Sequence, residues 1–171
     1  MIVIVMGVSG CGKTTVGQAL AGRLGLTFLD ADDHHPAANV AKMSRGEALT
    51  DADRGPWLDA LNRLLRQAAA EGRSVALACS ALRRAYRDRL TAGLPAAAVR
   101  WVYLRADEAV IAGRMQGRRD HFMPVSLLRS QFQTLEEPGD EAVVVDAGQP
   151  AEAVVAAVEQ QLGAAEWGQG A

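Results

Sequence analysis

The chain has 171 residues, 49% of them hydrophobic and 22% charged, with a formal net charge of −2. That balance suits one soluble domain whose core needs neither disulfides nor metal, and the slight negative charge excludes a global positive field that would draw in nucleic acid. Cys11 and Cys79 make no disulfide framework and are expected as reduced thiols in a cytoplasmic protein, and no run approaches the ~20 apolar residues of a membrane span.

Ile2-Val3-Ile4-Val5-Met6 is a continuous apolar run, the pattern of a strand buried on both faces. It lacks a basic leader and glycines follow at once, so it reads as a strand and not as a signal peptide. Further strands are expected at Thr27-Phe28-Leu29, Val75 to Cys79, Val99 to Leu104 and Ala142 to Val145. Helical patterns fall between them at about 13–24, 36–45, 51–71, 81–92, 107–118, 124–135 and 150–162. Strand–helix alternation predicts an α/β fold, a five-stranded parallel sheet with helices on both faces in three layers. Ligands bind such sheets at the carboxyl ends of the strands, so the residues just after each strand are the candidates for function.

After the first strand, Gly7-Val8-Ser9-Gly10-Cys11-Gly12-Lys13-Thr14 matches G-x-x-x-x-G-K-[ST] in full and opens a predicted helix. Glycine tolerates positive φ, so successive backbone N–H groups can converge on one anion, and the helix adds its positive dipole end. The pattern predicts ATP on Gly7, Ser9, Gly10, Cys11, Gly12, Lys13, Thr14 and Thr15. Lys13 would reach the β- and γ-phosphates and act in catalysis, while the Thr14 hydroxyl would ligate Mg²⁺.

After the second strand comes Asp30-Ala31-Asp32-Asp33-His34-His35-Pro36. Carboxylates beside a phosphate loop are costly unless a cation or a hydroxyl engages them. In extended backbone Asp30 and Asp32 share a face. One could support Mg²⁺ and the other accept the proton of an attacking hydroxyl; Asp32 or Asp33 could instead cap the helix at Pro36. Further on, Ser80 follows the third strand, and Arg54 and Arg83 suit a carboxylate on the acceptor. Arg114 and Arg118 are four apart on one helical face, where they could meet phosphate oxygens, Arg118 in catalysis and Arg114 at the nucleotide. Asp146-Ala147-Gly148-Gln149 follows the last strand.

The phosphate loop, Phe28-Leu29-Asp30-Ala31-Asp32 with His35, Asn39, Lys42 and Met43, and Asp51-Ala52-Asp53-Arg54 running into Trp57 resemble the gluconokinases. So do Cys79-Ser80-Ala81-Leu82-Arg83-Arg84, His121-Phe122, and Gln131-Phe132-Gln133-Thr134-Leu135-Glu136-Glu137-Pro138. The resemblance runs from about residue 3 to residue 160. It implies a P-loop kinase domain over 1–163 of the adenylate-kinase-like architecture, a mobile lid at about 114–126, and a frayed tail over 164–171. That architecture implies adenine contacts just after the last strand, mostly by backbone, with Gln149 among the nucleotide-binding residues. It also implies transfer of the ATP γ-phosphoryl to the 6-hydroxyl of D-gluconate, and a homodimer without membrane or nucleic-acid partners. The Asp-x-Asp of shikimate kinases resembles Asp30-Ala31-Asp32, which implies metal support by Asp30 and a hydroxyl-facing, catalytic Asp32. Acceptor-binding residues by this likeness are Asp32, His35, Arg54, Ser80, Arg83 and His121. Two other readings compete: a kinase of shikimate or a nucleotide, and a nucleotide-dependent regulatory module, in which the carboxylates and lid arginines would be unnecessary.

Overall fold

A computed structural model describes residues 1–116 and 128–164. The five strands are β1 (Ile2–Met6), β2 (Thr27–Asp30), β3 (Val75–Ala78), β4 (Val99–Arg105) and β5 (Ala142–Asp146). All are parallel, in the order β2-β3-β1-β4-β5. The described helices are α1 (Lys13–Leu24), α2 (Ala37–Ser44), α3 (Asp51–Ala70), α4 (Arg84–Thr91), α5 (Glu108–Gln116), α6 (Leu128–Thr134) and α7 (Ala151–Ala164). No described helix is long and apolar enough to cross a membrane.

β1 is central, with β3 on one side and β4 on the other, and its five residues are all buried. This explains the unbroken apolar run, since neither face of β1 meets water. Alternation sorts its side chains between two cores. Val3 and Val5 pack with Val16 and Leu20 of α1, Ile111 of α5 and Val154, Val155 and Val158 of α7. Ile2, Ile4 and Met6 pack on the other face with Leu58, Leu61 and Leu65 of α3 and Leu90 of α4. The three-layer arrangement therefore follows from the period of β1 together with the apolar stripes of these helices.

Among the described residues the elements agree with the expected ones to within a few residues, with one informative difference; 117–118 and 124–127 of the expected helices, and the expected tail past 164, lie outside them. The chain does not stay extended after β2; Ala31–His34 form a short 3₁₀ turn with Asp30 as its cap, whose carboxylate accepts from Asp32 N–H at 3.0 Å. Neither Asp32 nor Asp33 caps α2, which begins after Pro36 without a side-chain cap. α3 instead carries a full capping box, Thr50 with Asp53.

α3 buries its stripe most completely at Leu65, which has no exposed surface. Leu65→Ala is expected to cost about 2–5 kcal/mol of unfolding free energy, the transfer term plus a cavity. Chemical denaturation checks this; a loss below about 1 kcal/mol would show that α3 does not anchor this core.

Candidate active site

The phosphate loop joins β1 to α1 at the carboxyl edge of the sheet. Gly7 has φ 145°, and a Cβ there would stand 2.8 Å from both Cys11 Sγ and the Leu104 carbonyl. Only glycine lets the loop lie so close to β4. Gly12 caps α1 in the left-handed region at φ 98°. Lys13 Nζ donates to the Val8 carbonyl at 3.0 Å, which folds the amine back over the loop. Thr14 Oγ1 donates to Asp30 Oδ2 at 2.7 Å, so the hydroxyl after the lysine and the carboxylate after β2 form one oxygen pair. Cys11 is buried, and burial pushes its thiol pKa up in spite of Lys13. Cys79 is pushed up to about 12 for the same reason, which leaves both thiols protonated and chemically quiet.

One cavity opens beside the loop. Its lining includes Ser9, Lys13, Asp32, His35, Arg54, Ser80 and Gln131. Residues expected from three strand ends and from α3 thus converge on one space. The Arg54 guanidinium donates to the Leu49 carbonyl and lies 5.3 Å from the centre of the Tyr86 ring. His35 stacks on Trp57 with ring centres 4.1 Å apart, and Trp57 Nε1 donates to the Ala31 carbonyl at 2.7 Å. The aromatic pair therefore pins the 3₁₀ turn that carries Asp32.

Burial, and secondarily the Arg54 charge, lowers the His35 pKa to about 4. The ring is neutral near pH 7, so its 3.8 Å approach to the Asp32 carboxylate is a polar contact and not an ion pair. The buried Asn39 amide donates to the Asp53 carbonyl at 3.0 Å and faces His35 Nδ1 at 3.5 Å. That favours the tautomer with its proton on Nε2, toward Asp32.

A second cavity lies on the far side of the loop, lined by Gly10, Cys11, Gly12, Thr15, Arg114, Ala147 and Gln149 among others. Arg114 donates to the carbonyls of Ala147 at 2.6 Å and Gly148 at 3.2 Å, tying α5 to the turn after β5. Lys13 lines the first cavity, whereas Gly10, Gly12 and Thr15 of the same loop and helix line the second.

Arg83 is placed differently from Arg54. Its guanidinium reaches Asp51 at 3.2 Å and is partly exposed, outside the lining of the cavity that Arg54 lines. Arg118 and His121 lie outside the described residues, as does most of the expected lid, and their assignments rest on the sequence.

Three features carried no role in the sequence reading. Gln131 Oε1 accepts from Ser9 N–H at 2.6 Å, joining α6 to the phosphate loop. Tyr86 donates its hydroxyl to Asp51, the carboxylate that also takes Arg83. Lys42 pairs with Asp53 at 2.7 Å, and that bond with those from Thr50 holds Asp53 down to about 2. Only the last had a local signal, the Thr50-x-x-Asp53 spacing of a capping box.

A family model described as an AAA domain matches residues 2–138. The gluconokinase of Gluconobacter oxydans is 50% identical over 143 residues, covering 83% of this chain and 79% of the relative. The chain belongs to the gluconokinase family. The thermoresistant gluconokinase of Escherichia coli K12 is 43% identical across 91% of this chain and 89% of its own. A crystal structure of a gluconokinase from Sinorhizobium meliloti 1021 superposes with a TM-score of 0.85 at 43% identity, covering 95% of this chain and 91% of that one. The gluconokinase-family kinase domain is thus present with its sheet and phosphate loop intact.

The His35 environment makes a prediction about pH. Its ordinary pKa is 6.5 and its folded value about 4. Between those values the unfolded chain binds more protons than the folded one, so stability falls as pH drops through that window. His35→Gln is expected to remove this part of the slope in denaturation curves at successive pH values. An NMR titration of the ring should give a midpoint near 4; a midpoint near 6.5 contradicts the buried, neutral ring.

Proposed function

We propose that this chain transfers the γ-phosphoryl group of ATP to the 6-hydroxyl of D-gluconate, giving 6-phospho-D-gluconate and ADP. The observation that carries the reading is the convergence of Lys13, Asp32, Arg54 and Ser80 on one cavity in a chain of the gluconokinase family.

The phosphate loop takes the nucleotide phosphates on its backbone donors, with the base on the side of Arg114 and Gln149. Thr14 and Asp30 fit Mg²⁺: they offer hard oxygen donors 2.7 Å apart, next to the loop, and this ion prefers few protein ligands completed by water and phosphate. Mg²⁺, when bound with ATP, supplies charge neutralisation at the phosphates. On the other side, Arg54 holds the gluconate carboxylate, and Ser80 and neutral His35 orient hydroxyls. Asp32 receives the proton of the attacking 6-hydroxyl as its oxygen bonds to phosphorus and the bond to the ADP oxygen breaks. Asp32 suits a base better than a ligand, because its side chain is about half exposed and lines the cavity, whereas Asp30 pairs with the Thr14 hydroxyl beside the loop. Lys13 balances charge on the transferring oxygens, an interaction of the kind worth ~10²–10³ in rate.

A regulatory module without turnover is less well supported, since binding alone needs no carboxylate opposite the lysine. ADP release with gluconate, shikimate or AMP, each against a no-acceptor control, tests the substrate; the expected result is release with gluconate alone. Asp32→Asn is expected to lower kcat by about 10²–10⁴ without altering the Mg²⁺ requirement, and Asp30→Asn to raise that requirement. Recovery of Asp32→Asn to the wild-type rate at high Mg²⁺ would mean that the two carboxylates exchange roles.

A further inference from the structure

Among the described residues, one non-glycine residue has positive φ: Ala81, at 43°, in the turn from β3 to α4. A Cβ disfavours that region, and such backbone persists where its surroundings over-determine it. The turn is well placed to matter. Ser80 lines the acceptor-side cavity, and its carbonyl accepts from Gly7 N–H of the phosphate loop at 3.4 Å. Leu82 O accepts from Glu136 N–H at 2.7 Å, and the Glu136 carboxylate accepts from Arg84 N–H at 2.8 Å, at the start of α4.

Beneath the turn lies Arg87, only 4% exposed. Its guanidinium donates to the Ala81 carbonyl at 3.3 Å and to the Glu136 carbonyl at 3.0 Å. Its Nε is buried without a hydrogen-bond partner, and the Glu141 carboxylate stands 3.9 Å from it, beyond hydrogen-bond reach. A buried guanidinium with one nitrogen left without a hydrogen bond is a costly way to fill a core position. What its Nη1 does, and an apolar side chain cannot, is hold two carbonyls at once: that of the strained residue and that of the segment after α6.

We propose that Arg87 is a positioning residue for the acceptor, locking the Ala81 turn so that Ser80 faces the cavity, without itself touching substrate. The proposal rests on the reading that this cavity takes the acceptor. It predicts an asymmetric defect. Arg87→Met, which keeps the bulk, raises KM for gluconate about tenfold while KM for ATP moves less than about twofold, because the Ser80 side chain lines the cavity directly, whereas the phosphate loop meets this turn through one long backbone bond and stays packed against Leu104.

The discriminating variant is Ala81→Gly. Glycine adopts positive φ without support, so Ala81→Gly alone leaves KM near wild type, and Ala81→Gly with Arg87→Met returns KM for gluconate most of the way to it. A role for Arg87 in general stability would not be relieved in this way. Steady-state kinetics on both substrates, with circular dichroism for each variant, reads the result. Folded Arg87→Met with wild-type KM for gluconate overturns the proposal, as do equal rises for both substrates or a double variant no better than Arg87→Met. If Arg87→Met does not fold, Arg87→Lys carries the test. It keeps the charge but loses the planar group that sets one nitrogen between the two carbonyls, so KM for gluconate should rise about threefold, and a wild-type value overturns the proposal. Absence of gluconate-dependent turnover in the wild type would instead refute the proposed function, a separate and distinguishable outcome.

Discussion

The structure depends on the position of β1. A strand flanked by parallel neighbours on both sides and covered by helices on both faces can hold nothing polar. The chain therefore delivers its polar groups only where β1 ends. There the sheet order turns from β3 on one side to β4 on the other, the place where an open parallel sheet leaves a crevice. The phosphate loop fills that crevice, with Gly7 pressed against the Leu104 carbonyl of β4 and bonded to the Ser80 carbonyl after β3. Both neighbours of β1 thus fix the loop, and every other site residue is reached outward from it.

From that centre the charges separate by side. Beside the cavity that Gln149 lines, Arg114 is spent on the carbonyls of Ala147 and Gly148. The cavity that Asp32 lines carries side chains of opposite character, Lys13 and Arg54 as well as Asp32, together with the neutral His35 and Ser80. Other charges near this region are occupied elsewhere, Asp53 by Lys42 and Arg83 by Asp51. This leaves Arg54 as the described arginine lining the cavity, and it explains why Arg54 and Arg83, equivalent in the sequence reading, are not equivalent in space.

The parts legible in the sequence are those with local signatures. The strand of β1 announced itself by its unbroken apolar run, and the loop by glycines in register with Lys13 and Thr14. Asp30 and Asp32 were legible as a pair, but the reason given for pairing them, a shared face in extended backbone, does not hold. The 3₁₀ turn at Ala31 separates them, sending Asp30 to Thr14 and Asp32 to the cavity. Contacts spanning long stretches of chain left no local trace: Gln131 to Ser9 lies across 122 residues, and Arg87 to Glu136 across 49. Arginine in an Arg-rich helix reads as a solvated face until burial singles out Arg87, and nothing in the residue type marks Ala81 as strained.

The central claim is that the acceptor cavity presents a primary hydroxyl of gluconate to the phosphoryl group held at Lys13. The most direct measurement is the ³¹P spectrum of the product formed from ATP, Mg²⁺ and gluconate. Phosphorylation at the 6-hydroxyl places phosphorus next to a CH₂ group, so the ester resonance is expected to split into a triplet by its two neighbouring protons. A doublet, the signature of an ester on a secondary carbon, or the absence of any gluconate-dependent ester, would contradict the account.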